Sequence, residues 1–206
     1  MSTSSKPRVV RKHATKQLFK PSNYRKTLTW LLEDFQERCA YSLVHIKGIG
    51  ASQMHVDHHN PKLKKRSPYT NLFPAYALCN MAKGDDWPPA EKIKRGIRFL
   101  NPCIEMDYDH QIFENPTTHE LVGTTPAADY HIEKLDLNNP ALVRQRMERA
   151  VFQKMINRPM LCLPGSPSKD ADTAAIFKLF LDILDTKIPP ILPPPKTKAG
   201  ESKLSS

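Results

Sequence analysis

The chain has 206 residues, 39% of them apolar, and its 31 basic and 21 acidic side chains leave a net charge of +10. That length suits one compact domain with appendages. No apolar run approaches 18 residues, and the N-terminus is polar and basic, so a soluble, cytoplasmic protein with no membrane partner is expected. Cys39, Cys79, Cys103 and Cys162 are widely spaced with no CxxC pair, which does not match a secreted disulfide framework.

The charge is unevenly placed. Residues 1–26 hold eight basic side chains and no acidic ones, whereas the nineteen residues from Ile188 onward hold five prolines. A basic flexible arm over 1–21 and a proline-rich disordered tail over 188–206 are therefore expected. Lysine and arginine displace counterions condensed on phosphates, so the arm points to a polyanionic partner, with a merely solubilising tail as the alternative.

Tyr24, Leu28, Leu31, Leu32 and Phe35 fall on one helical face, predicting an amphipathic helix capped by Ser22 or Asn23 and ending near Arg38. Gln53 to His59 reads as a strand that Asn60 and Pro61 break. Lys62, Lys64, Lys65 and Arg66 then form a basic loop. Asn71 to Pro74 reads as a second strand, and Ala75 to Lys83 as a helix closed by Gly84. Beyond Trp87 the pattern turns α-rich, with helices over Ala90 to Leu100, Ala141 to Ile156 and Ala171 to Thr186. An irregular or hairpin segment occupies Cys103 to Thr125. The Ala171 to Thr186 helix is apolar around most of its circumference, so it belongs in a core or an interface.

Within 27 residues the chain places Asp57 and His58, then Asn71, Asn80 and Lys83. In strand–loop–strand–helix order, the end of the first strand comes beside the start of the helix. Asp57 and Asn80 can then offer two hard oxygens to a Mg²⁺ (or Mn²⁺) ion, which keeps several waters and needs few protein ligands. His58 is the candidate base that takes a proton from the attacking water. Strict alternation separates Asp57 and His58 onto opposite faces, so this reading requires a kink in the strand near Asn60 and Pro61. An isolated Asp-His pair is usually surface decoration; it is the spaced partners that single this one out. His55 and His59 share the Asp57 face and read as structural or substrate-facing.

These residues, in HVDHHNPK, YTNLF and LCNMAKGD, resemble the HNH (ββα-metal) nuclease family over roughly Cys39 to Trp87. The resemblance implies an α+β fold, with a small ββα-metal unit and its leading helix over 22–89 embedded in an α-rich extension over 90–187. It implies a general base at His58 and metal ligands at Asp57 and Asn80. Asn71 would tie the loop and orient the base, Lys83 would meet phosphate or cap the fold, and the 62–66 loop would contact nucleic acid. A wider likeness, through FLNPC and IEKLDLNNPALVRQR, is to the HNH nuclease subunits of Septu-type and retron-associated anti-phage systems, which work beside an SMC-like ATPase. Many family members carry structural zinc on two CxxC pairs. Here only Cys39 and Cys79 remain of them, so either Cys103 and His45 complete the site or the zinc is lost. The function expected is DNA phosphodiester hydrolysis; the alternative is a non-catalytic nucleic-acid-binding or scaffold module on a degenerate HNH fold.

Overall fold

The computed structural model describes residues 8–13, 16–105 and 108–157, with the backbone alone considered for Asp109 and for 152–157. In chain order it runs β1 (Leu18–Phe19), a 3-10 turn (Tyr24–Thr27), α1 (Leu28–Asp34), α2 (Ile46–Ile49), β2 (Met54–His58), β3 (Ser67–Pro68) and β4 (Leu72–Tyr76). It continues with α3 (Ala77–Lys83), α4 (Ala90–Lys94), β5 (Ile112–Glu114), β6 (Leu121–Gly123), α5 (Pro126–Lys134) and α6 (Pro140–Asn157). The strands pair antiparallel as β1–β3, β2–β4 and β5–β6, which makes the class α+β. Among the described residues no helix is long and apolar enough to cross a membrane.

The first helix is shorter than its periodicity suggests. Gln36 and Glu37 take left-handed φ values of 54° and 58°, so the helix stops at Asp34 and the chain turns back toward Cys39. The segment expected as an arm is, where described, laid on the body. Leu18 and Phe19 pair with Pro68 and Ser67. Arg11 stacks over Phe35, Tyr69 and Phe73 at 4.9–5.3 Å and donates to the Leu72 carbonyl at 2.9 Å. A guanidinium that covers rings while its N–H groups find carbonyls explains why this basic segment packs.

Both faces of the β2–β4 hairpin are covered. One carries Phe19, Leu31, Val56, Tyr69 and Leu72. The other joins Phe35, Tyr41, Phe73 and Cys79 to Phe99, Leu100, Leu135 and Leu142, so the hairpin and the extension share one core. α5 is a helix that periodicity alone does not pick out. Its N-terminus is nonetheless well signalled, by Pro126 at the first turn and by Thr125 Oγ1 accepting from the Ala128 N–H at 3.2 Å. The Ala171 to Thr186 helix, offered as core or docking element, lies outside the described residues.

His131, on α5, is fully buried at the centre of this core. Its Nδ1 accepts the Leu100 N–H at 3.1 Å, and Tyr108 Oη lies 3.4 Å from Nε2. Burial, with His59 as a smaller contributor, pulls its pKa down to about 3. The unfolded chain binds this proton below the usual histidine value near 6.5, but the folded chain does not until about 3. Stability is therefore lost as pH falls through that window, by about tenfold in the folding constant per pH unit from this group alone. His131→Asn, which retains an acceptor for Leu100, should show a shallower loss between pH 6 and pH 4 in urea melts. An unchanged slope would contradict the assignment.

Candidate active site at the end of the β2–β4 hairpin

β2 holds its alternation to its last residue, because His58 pairs with Leu72 and Asp57 with Phe73 in unbroken register. The kink expected at Asn60 comes only after His58. Asp57 therefore faces α3 and the main core, whereas His58 turns to the other face. There its ring packs 4.5 Å from that of Tyr24.

Asp57 is 5% exposed and carries two hydrogen bonds. Tyr41 Oη donates to Oδ2, and Lys83 Nζ donates to Oδ1 at 3.1 Å. Lys83, 1% exposed, also donates to the His58 carbonyl at 2.9 Å and lies 5.6 Å from the Phe99 ring. The last turn of α3 is thus pinned to the end of β2 by a buried ion pair. Gly84 ends the helix at φ 50°, which a side chain would disfavour. Burial, followed by the Asp57 charge, pushes the Tyr41 phenol well above its ordinary pKa, so it remains a donor to the carboxylate.

Asn71 ties the loop that follows. Its Oδ1 accepts the Asn60 N–H at 2.8 Å, and its Nδ2 donates to the Asn60 carbonyl at 3.0 Å and to Ser67 Oγ at 2.9 Å. The chain leaves β2 in one fixed direction as a result. Asn60 Oδ1 accepts the Lys62 N–H and starts the basic loop, in which Lys62, Lys64, Lys65 and Arg66 are all exposed. Lys64 pairs with Asp85 at 2.6 Å, and this bond holds the Asp85 carboxyl below its usual range.

His58 sits beside that loop, half-buried. Its Nε2 is covered and has no hydrogen-bond partner among the described residues. Burial lowers its pKa against an opposing pull from Asp57, with Lys83 and Lys64 lowering it further, so the neutral imidazole is favoured. His59 is more deeply enclosed, packed against Phe73, Trp87 and Phe99, and burial takes its pKa to about 3. It serves the core.

Asn80 is half-exposed, with its amide nitrogen 3.5 Å from His55 Nδ1. It lies one helical turn before Lys83 and so two positions along the strand from Asp57. The donor types suit a hard divalent ion: an amide oxygen at Asn80, an imidazole at His55, and a carboxylate at Asp57 whose oxygens each keep a lone pair beyond the bond they already make. Lys83 already neutralises that carboxylate, however, so an ion would have to share it. Among the described residues no three His, Cys, Asp or Glu side chains cluster as a metal site.

The cysteine pair is closed off from this site. Cys39 Sγ accepts the N–H groups of Tyr41 and Ser42, both at 3.4 Å, and shares a hydrogen bond with the Cys79 thiol. Burial opposes ionisation of Cys39, but the bonds from Cys79, Ser42 and Tyr76 outweigh it and lower its pKa, while Cys79 is pushed up. His45, one of the two residues considered for completing a zinc site, accepts instead from Lys47 N at 3.1 Å and lies 3.4 Å from Glu37. Tyr41 was not anticipated, and nothing in the Cys39-to-Ser42 segment marks a lone tyrosine as the partner of an aspartate sixteen residues on. Searches of protein-family models, curated proteins and solved structures find no match to this chain.

Lys83→Met leaves Asp57 buried without its counter-charge and should destabilise the fold by about 3–5 kcal/mol. Adding Asp57→Asn, which removes the stranded charge, should cost less than the sum of the two single changes. Strictly additive losses in denaturant melts would show that the two groups are not coupled.

Proposed function

We propose that this chain is an HNH-type endonuclease that hydrolyses phosphodiester bonds in DNA. One observation carries the reading: an imidazole not committed to any structural bond, His58, stands at the end of β2 directly beside an exposed loop of four cations. Buried side-chain nitrogens normally have partners, so one left without a bond is a functional candidate. The order of β2, β4 and α3, with Asn71 fixing the turn, supports the same reading.

In the proposed reaction, neutral His58 takes the proton of the attacking water, and its lowered pKa keeps it in the accepting form at neutral pH. The 62–66 loop holds the flanking phosphates as point charges and forks. Asn71 prevents the loop from swinging and so fixes the position of the phosphate relative to the imidazole. Asp57 and Asn80 are the donors proposed for Mg²⁺ or Mn²⁺, which, when bound, would stabilise charge on the phosphate and on the leaving oxygen. The anti-phage setting and an ATPase partner remain proposals drawn from the sequence resemblance.

A second reading has its own support. Asp57 is already neutralised by Lys83 and Tyr41, which suits a nucleic-acid-binding module in which the aspartate is structural. Supercoiled plasmid incubated with the full chain, with and without Mg²⁺, separates the two. Metal-dependent nicking supports the endonuclease, and binding without nicking supports the module. Replacing Lys62, Lys65 and Arg66 with alanine should weaken DNA binding. It should also flatten the slope of log K against log salt by roughly 0.9 for each duplex phosphate no longer neutralised. An identical slope would place the DNA elsewhere.

A further inference from the structure

A narrow cleft opens on the far side of Tyr41 from Asp57, with about 380 Å³ of empty space out to its mouth. Three arginines from distant parts of the chain line it: Arg8, Arg146 and Arg149. None of the described residues lining it is acidic. Arg146 is 5% exposed and is held by bonds from Nε to the His119 carbonyl at 2.6 Å and from Nη2 to Asn138 Oδ1 at 3.2 Å. Arg149 donates to Glu114, which His119 Nδ1 also reaches at 2.7 Å. Arg8 lies over the Tyr108 ring, 4.9 Å from its centre.

Three guanidinium charges against the single carboxylate of Glu114 leave two positive charges gathered in a poorly hydrated space. Like charges brought together under low solvent exposure repel, and burial strengthens the repulsion. The strain is visible at Arg146, where burial and the nearby Arg149 outweigh Glu114 and lower the pKa to about 10. Natural proteins arrange guanidiniums in this way where a planar or tetrahedral oxyanion is to be gripped by several N–H donors at once. The side chains are also pre-set: bonds to His119, Asn138 and Glu114 and the stack on Tyr108 fix them before any ligand arrives, which limits the ordering cost of binding.

We propose that this cleft is a binding site for a phosphate-class dianion, either free phosphate or the terminal phosphate of an ester. The proposal does not rest on the hydrolase reading, since none of the three arginines belongs to the candidate active site. It does place a ligand one residue from that site, because Tyr41 forms a wall of the cleft and gives its hydroxyl to Asp57.

The test is calorimetric titration of the full chain with inorganic phosphate at constant ionic strength, using chloride as the balancing ion. Saturable binding of one phosphate per chain is expected. Arg8→Gln and Arg149→Gln should each weaken it at least tenfold, while Lys65→Gln on the exposed loop should leave it unchanged. Arg149→Gln frees Glu114 and can disturb folding; Arg8→Gln, whose guanidinium stacks on a ring, then carries the comparison together with Arg8→Lys, which keeps the charge and loses the fork. Competition by a short oligonucleotide bearing a 5′-phosphate, but not by its 5′-hydroxyl counterpart, would identify a nucleic-acid end as the source. Displacement by neither would identify the free ion. Absence of saturable binding, or binding that survives both arginine substitutions and falls with Lys65→Gln, would overturn the proposal.

Discussion

A lysine ammonium with almost no access to water must be met by a negative charge, and in this chain Asp57 meets it. The pair does more than cancel two charges. Through its second bond, to the His58 carbonyl, Lys83 fixes the backbone of the residue proposed as the base. Through Asp57 and Tyr41 it joins α3, the end of β2 and the turn after α1 in one hydrogen-bonded unit. Each partner is held on the opposite side by packing, Lys83 near the face of Phe99 and Tyr41 against Phe73. A buried pair of this kind adds little net stability over an apolar replacement, but losing one member is costly. Its consequence is therefore positional: the strand end, the loop and the helix cannot drift independently.

That constraint sets up a division of labour along consecutive residues. Alternation sends Asp57 inward to the ion pair, leaves His58 at the edge of the opposite face, and returns His59 to the aromatic core. Three neighbouring side chains thus have three environments, and only the middle one stands beside the exposed cations with a nitrogen left without a structural bond. Asn71 then makes the loop beyond them a rigid platform for those cations, since it satisfies both backbone groups of Asn60. Loop residues are useful in chemistry only when a rigid scaffold positions them, and here two buried polar side chains, Lys83 and Asn71, provide it.

Some of this was legible in the sequence, and the physical reasons differ from case to case. The hairpin and α3 could be read because alternation, the break at Asn60 and Pro61, and Gly84 are local signals. The role of Asn71 in tying the loop came with the family resemblance, and its bonds to Asn60 agree with it. The direction of Asp57 could not be read, because it depends on Tyr41 and Lys83, which reach it from sixteen and twenty-six residues away. The packing of the basic N-terminal segment was equally hidden. Its charge suggested an arm, yet Arg11 spends its guanidinium on three rings that composition does not reveal. The arginine cleft joins residues from both ends of the described chain, so no window of sequence contains it.

The proposed chemistry turns on His58 as the group that takes the water's proton. The rate of plasmid nicking in Mg²⁺ by the unmodified chain, set against that of His58→Ala shown by circular dichroism to be equally folded, tests this most directly. A loss of roughly 10²–10⁴-fold is the result expected when a positioned general base is removed. Equal rates in the two proteins would contradict it.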